Sequence, residues 1–502
     1  MQRVFVLLLD AASPDLIERW TDDGTLPNLR QLRERGAYGR LNSVAEWLAE
    51  ATPYAFFSGQ NPATTGLHCY AMWQKETMTA RPPGKDWLPY QPFWRAFGDN
   101  GPRAIVVDAP NVYPPEPFNG VEIIGWATHD TLAPFRSYPP ELATSIHRHF
   151  GSALMPDEMY GLVSKRQFLE DRRNMLEINQ KFGDLCLELL QQQQWDLFLG
   201  AFFTGHHAGH RLWSAVNVKD ELSDAERTDL NDTVRQVYVS MDQVVGRLVR
   251  AAGDDAIVMA LSVHGMAINN SRSWIFPEML ERVLGGARST PGLLERLRRR
   301  VPVEWRHALK SLLPYEVRRG LTRFWRMRPH KWERTRAFNL FSDTQGWVRI
   351  NLKGREALGI VEPGAEYDQL CRQISEGLKT FVDADSGEPI VRDIFQSRQV
   401  FEGPRLDDLP DLVVRWVESP ASMHRAVRSP RYGEIPWPTP GHNPEGRSGN
   451  HRAQGMLMAA GPGIKSGTIK DAHILDLAPT ILTLLGQPVP VEMEGKPIQL
   501  MR

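Results

Sequence analysis

Cysteine is scarce in this chain, net charge is nearly absent, and long hydrophobic runs are missing. The three cysteines, Cys69, Cys186 and Cys371, are far apart and odd in number, which argues against a disulfide framework and a cysteine-based zinc site. The 59 basic and 60 acidic residues leave a net charge of −1, so no global field would attract nucleic acid. We therefore expect no nucleic-acid partner.

No apolar run approaches the roughly 18 residues that a membrane span requires. The N-terminal run at residues 4–9 has only six apolar residues, too few for the core of a secretory signal, and is predicted to be a buried strand. The few cysteines also favour a reducing compartment. These features predict a cytoplasmic protein.

Helical and apolar strand patterns alternate along most of the chain, which is typical of a largely parallel α/β sheet flanked by helices. We predict one α/β domain over residues 1–502, with a small α/β subdomain at 340–405. The strongest predicted strands are at 4–9, 104–108, 121–126, 196–203, 256–262, 411–416 and 456–460, and the strongest helices at 26–35, 164–194, 223–252, 367–382 and 474–485.

An Arg- and Trp-rich segment interrupts this pattern, and we predict a helical insertion or lid at residues 285–336. One interpretation is a solvated insertion whose aromatic residues pack on the core. The other is a basic surface, residues 291–336, that meets a phosphate, an anionic carrier or a lipid headgroup.

Three histidines stand within five residues after the predicted strand 196–203. His206 and His210 have i, i+4 spacing, which places both imidazoles on one face of a helix. Because imidazole is the commonest metal ligand, we predict that this pair binds a metal ion. The alternative is that they are ordinary surface or core histidines. His207 points away from the pair by about 100° on a helix, so it is at most an outer partner.

Three further residues are candidates to complete this site. Asp10 and His264 closely follow predicted strands, and ligand sites in open α/β sheets lie at the carboxyl ends of strands. His451 follows a Pro- and Gly-rich region and precedes the predicted strand 456–460. Asp10 has a second interpretation, as the cap of a helix that begins near residue 13.

The chain resembles the type I phosphodiesterase/nucleotide pyrophosphatase family of the alkaline phosphatase superfamily over nearly its whole length. Each matching stretch is short, and their order and spacing carry the resemblance. They are Leu7-Leu8-Leu9-Asp10-Ala11, Leu26-Pro27-Asn28-Leu29, Ser58-Gly59-Gln60-Asn61-Pro62, His264-Gly265-Met266, Asn351-Leu352-Lys353-Gly354-Arg355-Glu356, Asn450-His451-Arg452 and Ile474-Leu475-Asp476-Leu477-Ala478-Pro479-Thr480.

The resemblance implies an alkaline-phosphatase-like fold and a hydrolase with two divalent cations, often zinc, beside a Thr or Ser nucleophile. Residues aligned with His206, His210 and His451 would bind one cation. Asp10, the nucleophile and an Asp-His pair aligned with Val263-His264 would bind the other. Two such cations would activate the nucleophile and stabilise the oxyanions of an in-line displacement.

This chain departs from the family pattern at both metal positions. Val263 stands where the family usually has aspartate, so the second position loses a carboxylate. His206 stands where the family usually has another aspartate, and it leaves a three-histidine set that resembles zinc sites with an open fourth position. We expect one or two divalent cations, most plausibly zinc.

The nucleophile has two interpretations. An ungapped alignment from Ser58-Gly59 puts Ala49 at the usual threonine, in which case water would attack instead. A local shift puts Thr52 there, at the start of a helix whose N–H groups favour an anion. We predict Thr52 as the nucleophile and as a cation contact, and a helix cap is the alternative.

These residues predict a metal-dependent hydrolase of a small or carrier-linked phosphodiester, or of a related phosphate, sulfate or phosphonate ester. The alternative is a divergent scaffold with one metal that has lost ester hydrolysis and acts in binding or in a different zinc-dependent transformation. The oligomeric state stays open. Weaker candidates for substrate contacts are His68, His129, His442, Lys353 and Arg355.

Overall fold

The structure, a computed structural model, describes residues 2–128, 132–153, 155, 161–285, 317 and 330–501. Most of the predicted insertion 285–336 and of the predicted basic surface 291–336, together with His129, lies outside these residues.

The described strands are β1 (Arg3–Leu9), β2 (Ala37–Leu41), β3 (Met72–Gln74), β4 (Thr79–Arg81), β5 (Ala104–Val107), β6 (Gly120–Ile124), β7 (Arg136–Tyr138), β8 (Leu197–Phe202), β9 (Ala256–Ser262), β10 (Gly265–Ile268), β11 (Ala337–Leu340), β12 (Gly346–Ile350), β13 (Val382–Asp383), β14 (Val391–Gln396), β15 (Leu412–Trp416), β16 (Ala426–Ser429), β17 (Gly433–Pro436), β18 (Gly449–Arg452), β19 (Gly455–Ala460) and β20 (Gly467–Thr468). The described α-helices are α1 (Pro14–Asp22), α2 (Pro27–Arg35), α3 (Thr52–Ser58), α4 (Pro62–Thr65), α5 (Pro140–Phe150), α6 (Lys165–Gln192), α7 (Thr204–Leu212), α8 (Asp224–Asn231), α9 (Thr233–Ala252), α10 (Phe276–Val283), α11 (Ala365–Lys379) and α12 (Leu477–Leu484).

A nine-stranded sheet in the order β20-β2-β19-β9-β1-β8-β5-β6-β7 forms the centre of the molecule. Its five middle strands, from β9 to β6, run parallel, whereas β19 and β7 pair antiparallel with their neighbours. This architecture confirms the predicted α/β fold with a mostly parallel sheet. Strands β8, β1 and β9 lie side by side, so their carboxyl ends meet at one edge of the sheet.

Side chains of β1 alternate between two hydrophobic cores. Val4, Val6 and Leu8 belong to one core, which also includes residues of α3 and α12. Phe5, Leu7 and Leu9 belong to the other, with residues of α6 and α9. A continuous apolar strand is therefore explained by burial on both faces, as expected for a parallel sheet covered by helices.

One predicted helix is wrong in its extent. Residues 223–252 form two helices, α8 and α9, separated at Asp232. The Asp232 carboxylate accepts hydrogen bonds from Arg235 (2.6 and 2.7 Å) and Gln236 (3.2 Å) in the first turn of α9. Aspartate side chains favour helix starts over helix interiors, and apolar periodicity does not report such a break.

A third hydrophobic core lies within residues 275–437 and joins α10, α11 and strands β12 and β15. It includes the four-stranded sheet β11-β12-β15-β14 and adjoins the three-stranded sheet β13-β16-β17. The predicted subdomain 340–405 falls inside this region and stays a prediction. All three cysteines are buried and free. Among the described residues, no helix is both long and apolar enough to cross a membrane.

A buried ion pair fixes α7 against α6. Arg211 on α7 donates to Asp171 on α6 (Nε to Oδ2, 3.0 Å), and the two side chains are 2% and 1% exposed. Gln167 also donates to the Asp171 carboxylate at 3.0 Å. Removing one partner of such a pair leaves a buried charge without compensation.

Replacing Asp171 by alanine is expected to lower the free energy of unfolding by about 3–5 kcal/mol, measured by urea denaturation. The matched control is Asp184→Ala on the same helix, whose partner is Arg247 and whose side chain is 53% exposed. This exposed pair should contribute about 0–1 kcal/mol. Equal losses in the two variants would contradict the structural role of the buried pair.

Candidate functional site

Three neighbouring strands deliver polar residues to the same edge of the central sheet. Asp10 directly follows β1, His206 and His210 lie on α7 just after β8, and His264 lies two residues after β9. All four side chains are buried, with exposures of 1% to 4%. The strand order β8-β1-β9 explains why residues so distant in sequence come together.

His451 reaches this edge through a separate antiparallel pair of strands. It lies on β18, which pairs with β10 so that His451 stands opposite Met266. Because β10 begins immediately after His264, the imidazole rings of His264 and His451 come within 4.5 Å of each other, measured between centroids. The sequence did not predict this pairing.

Nitrogen atoms of His206, His210 and His451 lie within 4.8 Å of one another, and the structure thus brings together the three residues proposed for one cation. The Nε2 atoms of His210 and His451 are 3.2 Å apart. His210 Nδ1 donates to the carbonyl oxygen of Gly449 at 3.1 Å, which leaves its Nε2 as the lone-pair nitrogen. The separation of 3.2 Å is close to the spacing of about 3.3 Å between nitrogen ligands of a tetrahedral zinc ion.

Helix α7 and strand β18 approach so closely because of Gly449. A Cβ atom on this residue would lie 2.2 Å from the carbonyl oxygen of Gly209, one position before His210. No side chain fits in that space, so glycine is required where the two ligand-bearing elements meet. The sequence shows a glycine at 449 but gives no signal for this contact.

Asp10 contacts a histidine of the cluster. Its Oδ2 lies 2.5 Å from Nδ1 of His206, and its buried Oδ1 has no hydrogen-bond partner among the described residues. A carboxylate on one ring nitrogen orients the imidazole and directs the other nitrogen elsewhere. The interpretation of Asp10 as a helix cap is wrong, since α1 is preceded by Ser13. Its role as a cation ligand stays a prediction.

Thr52 is fully buried at the first position of α3, and its Oγ1 lies 3.1 Å from His264 Nδ1. The same oxygen lies 3.1 Å from the carbonyl of Ala49, to which it can donate. Thr52 does not cap the helix, because Ala51 occupies the cap position and no side chain caps the helix there. The helix-cap interpretation is therefore wrong, and the threonine hydroxyl faces an imidazole of the cluster.

Burial and the neighbouring histidines favour the neutral form of His451. Burial lowers the pKa of His451 well below its usual value, and the neighbouring His264, His210 and His206 lower it further. A neutral imidazole offers a lone pair to a cation, whereas a protonated one does not. His451 is therefore able to offer a nitrogen lone pair.

Glu50 was missed in the sequence and lies two residues before Thr52. It accepts hydrogen bonds from the Ser342 hydroxyl (3.2 Å) and the Asp343 backbone N–H (3.1 Å). Burial and the nearby Asp343 carboxylate raise the pKa of Glu50 to about 7. Asp343 in turn pairs with Arg447 at 3.2 Å, and the positive charge of Arg447 also lowers the pKa of His451. These contacts form only because the fold brings together loops that are distant in the sequence.

The buried position of Val263 agrees with its apolar side chain, which offers no ligand atom to a cation. It is 1% exposed and belongs to the hydrophobic core, and its carbonyl oxygen accepts a hydrogen bond from Ser43 at 2.7 Å. Of the residues proposed for a second cation, only Asp10, Thr52 and His264 offer ligand atoms.

The weaker candidates have other contacts. His68 is buried, its Nδ1 donates to the carbonyl oxygen of Gly66 at 3.2 Å, and burial lowers its pKa to about 4. His442 contacts the carbonyl of Val216 at 2.7 Å. Lys353 and Arg355 are held in ion pairs, with Glu362 and with Glu356 and Asp411 respectively. None of these four joins the histidine cluster.

The fold and the cluster define an alkaline-phosphatase-like α/β protein with an imidazole-rich site at the carboxyl edge of its sheet. The sequence profile of the type I phosphodiesterase / nucleotide pyrophosphatase family matches residues 4–418. The chain therefore belongs to this family and is a hydrolytic enzyme, which confirms the resemblance noted above.

Two solved structures of one enzyme support the fold assignment. Phosphonoacetate hydrolase from Sinorhizobium meliloti 1021, in complexes with phosphonoformate and with phosphonoacetate, is similar with a TM-score of 0.55 and 12% identity, over 96% of each chain. Murine ectonucleotide pyrophosphatase / phosphodiesterase 5 in complex with AMP has a TM-score of 0.47 and 12% identity, over 98% of this chain and 96% of that chain. Comparison with curated protein sequences finds no match.

Proposed function

We propose that the protein hydrolyses a phosphodiester or a related phosphate, sulfate or phosphonate ester, with one divalent cation, zinc by preference, held by His206, His210 and His451. The approach of three imidazoles to within 4.8 Å beside the Thr52 hydroxyl is the observation that carries this proposal. The family supports an ester hydrolase, and a set of three imidazole ligands supports zinc.

The residues present fit such a cation. The donors are three imidazoles: burial favours the neutral form of His451, the Gly449 carbonyl orients His210, and Asp10 orients His206. The buried Asp10 Oδ1 faces no hydrogen-bond donor of the described chain, which is expected of an oxygen close to a positive charge. A bound divalent cation would supply charge stabilisation and favour the ionised form of a nearby hydroxyl.

In this proposal Thr52 is the nucleophile. Its hydroxyl proton passes to His264 Nδ1 at 3.1 Å while Oγ1 forms a bond to phosphorus. The bond from phosphorus to the leaving oxygen breaks, that oxygen takes up a proton from solvent, and His264 releases to solvent the proton that it received from Thr52. Water then attacks the phosphothreonine, returns the hydroxyl to Thr52 and releases the acid product.

Val263 favours a single tightly held cation. The second position has lost a carboxylate to a buried apolar side chain, so its remaining groups bind a cation less well. The loss of this carboxylate is also consistent with the alternative, a protein with one metal and another activity. Turnover decides between the two.

The test is elemental analysis together with turnover on a panel of aryl phosphodiesters, phosphate and sulfate monoesters, and phosphonate monoesters. We expect about one zinc per native chain and hydrolysis of at least one ester class. Val263→Asp should raise the zinc content toward two ions per chain. The matched control Val258→Asp in β9 should not, because it lies within the strand away from the cluster. A native protein with bound zinc and no turnover across the panel would reject hydrolysis and favour the alternative.

A further inference from the structure

A network of five polar side chains connects the small sheet β13-β16-β17 to strand β18, which carries His451. Its members are Asp383, His424, Arg272, Asn270 and Arg452, and we call them the polar network. Arg452 lies in one of the stretches that carry the family resemblance, whereas the resemblance uses none of the other four members, and the proposed reaction uses none of the five. They are joined by hydrogen bonds from Asp383 on β13 to the backbone of His451.

His424 is held as an acceptor within this network. Its Nδ1 donates to Asp383 Oδ2 at 2.6 Å, so Nε2 keeps its lone pair. Arg272 donates to that Nε2 from Nη2 (2.9 Å) and from Nε (3.2 Å). Burial and the charge of Arg272 lower the pKa of His424 below its usual value, which keeps the ring neutral.

Arg272 is fully buried, and among the described residues no carboxylate lies within ion-pair distance of it. Besides His424 it donates to the carbonyl oxygens of Val417 (2.9 Å) and Asn270, and to the Ser419 hydroxyl (2.8 Å). Burial and the positive charge of Arg452 lower the pKa of Arg272 to about 9, so it is still protonated at neutral pH. Because its hydrogen-bond acceptors are all neutral groups, the stability of this buried charge depends on every one of them.

Asn270 and Arg452 carry the network to the cluster. The side-chain oxygen of Asn270 accepts from Arg452 Nη1 at 3.0 Å. The same Nη1 donates to the carbonyl oxygen of His451 at 3.0 Å, and Nη2 donates to the carbonyl of Ile268 at 2.6 Å. Arg452 therefore fixes the backbone of His451 to the neighbouring strand β10.

We propose that His424 is a positioning residue for the cation site and acts through Arg272, Asn270 and Arg452 on the backbone of His451. The inference rests on the proposed function, since it takes His451 as a cation ligand. Loss of the His424 acceptor forces the buried Arg272 guanidinium to find another partner. The Asn270 backbone that it holds then shifts, and Arg452 and His451 shift with it.

The probe is Co²⁺, titrated into the metal-free protein and followed by its visible absorption. His424→Phe, which fills the space but offers no acceptor, is expected to weaken Co²⁺ binding by about 10-fold or more and to change the spectrum. His424→Gln, whose amide oxygen can accept where Nε2 does, should stay within about threefold of the native protein. Native affinity and spectrum in a folded His424→Phe protein would overturn the proposal.

Asp383→Asn provides a second test that does not depend on the folding of His424→Phe. It removes the charge that orients His424, and Co²⁺ binding should weaken by about three- to tenfold. Its matched control is Asp385→Asn, which alters an exposed pair with Arg425 in the same turn and should bind Co²⁺ normally. Equal binding by both variants and the native protein would reject the positioning role alone. Absence of Co²⁺ binding by the native protein would reject the proposed cation site as well.

Discussion

Replacing Thr52 by valine is expected to lower kcat/KM for the best ester substrate by about 10,000-fold or more, while the zinc content stays unchanged. Valine keeps the shape of the buried side chain and removes the hydroxyl oxygen that attacks phosphorus in the proposed reaction. Loss of a nucleophile commonly costs several orders of magnitude, whereas the three imidazoles that hold the cation are untouched. Steady-state kinetics and elemental analysis on the same preparation provide both values.

The control is Thr52→Ser, which keeps the hydroxyl at the start of α3 and should lose far less activity. A valine variant that retains native turnover would show that water attacks directly. That outcome would favour the alignment that places Ala49 at the nucleophile position. The 3.1 Å contact between Thr52 and His264 would then be structural only.

Replacing His210 by alanine is expected to abolish turnover and to weaken zinc binding by more than the 10–100-fold typical of losing an outer partner. His210 contributes Nε2, 3.2 Å from that of His451, and its Nδ1 anchors the ring to Gly449. Its loss leaves only His206 and His451 of the three imidazoles proposed to hold the cation. Equilibrium dialysis with zinc and turnover assays measure the two effects.

His149→Ala is the matched control, since this histidine on α5 is 52% exposed and lies outside the cluster. It should keep native zinc affinity and activity. If His210→Ala retained full activity on an aryl phosphodiester, the proposed reaction would be wrong. If it retained zinc but lost activity, the cation would be held elsewhere.

The placement of Asp10, His206, His210 and His264 at one edge could be predicted because it follows from local pattern and a general rule of topology. Apolar runs identified β1, β8 and β9, and residues just past parallel strands share one edge of the sheet. Short or mixed strands were missed. β2, with the sequence Ala-Tyr-Gly-Arg-Leu, is recognisable only through its pairing with β19.

Contacts that depend on side-chain direction between distant elements could not be predicted. The sequence places Asp10 and His206 near each other but does not show the hydrogen bond between them. That hydrogen bond makes Asp10 a partner of the histidine cluster. The pairing of β18 with β10, which brings His451 to His264, is a long-range register. Glu50 and Arg272 gain their significance from loops that only the fold brings together.

Anomalous diffraction from crystals of the zinc-loaded protein, recorded on both sides of the zinc absorption edge, tests the central claim most directly. We expect one strong peak bounded by the imidazole nitrogens of His206, His210 and His451, beside the Thr52 hydroxyl. No peak at these residues, or a peak bound by other side chains, would contradict the proposed site.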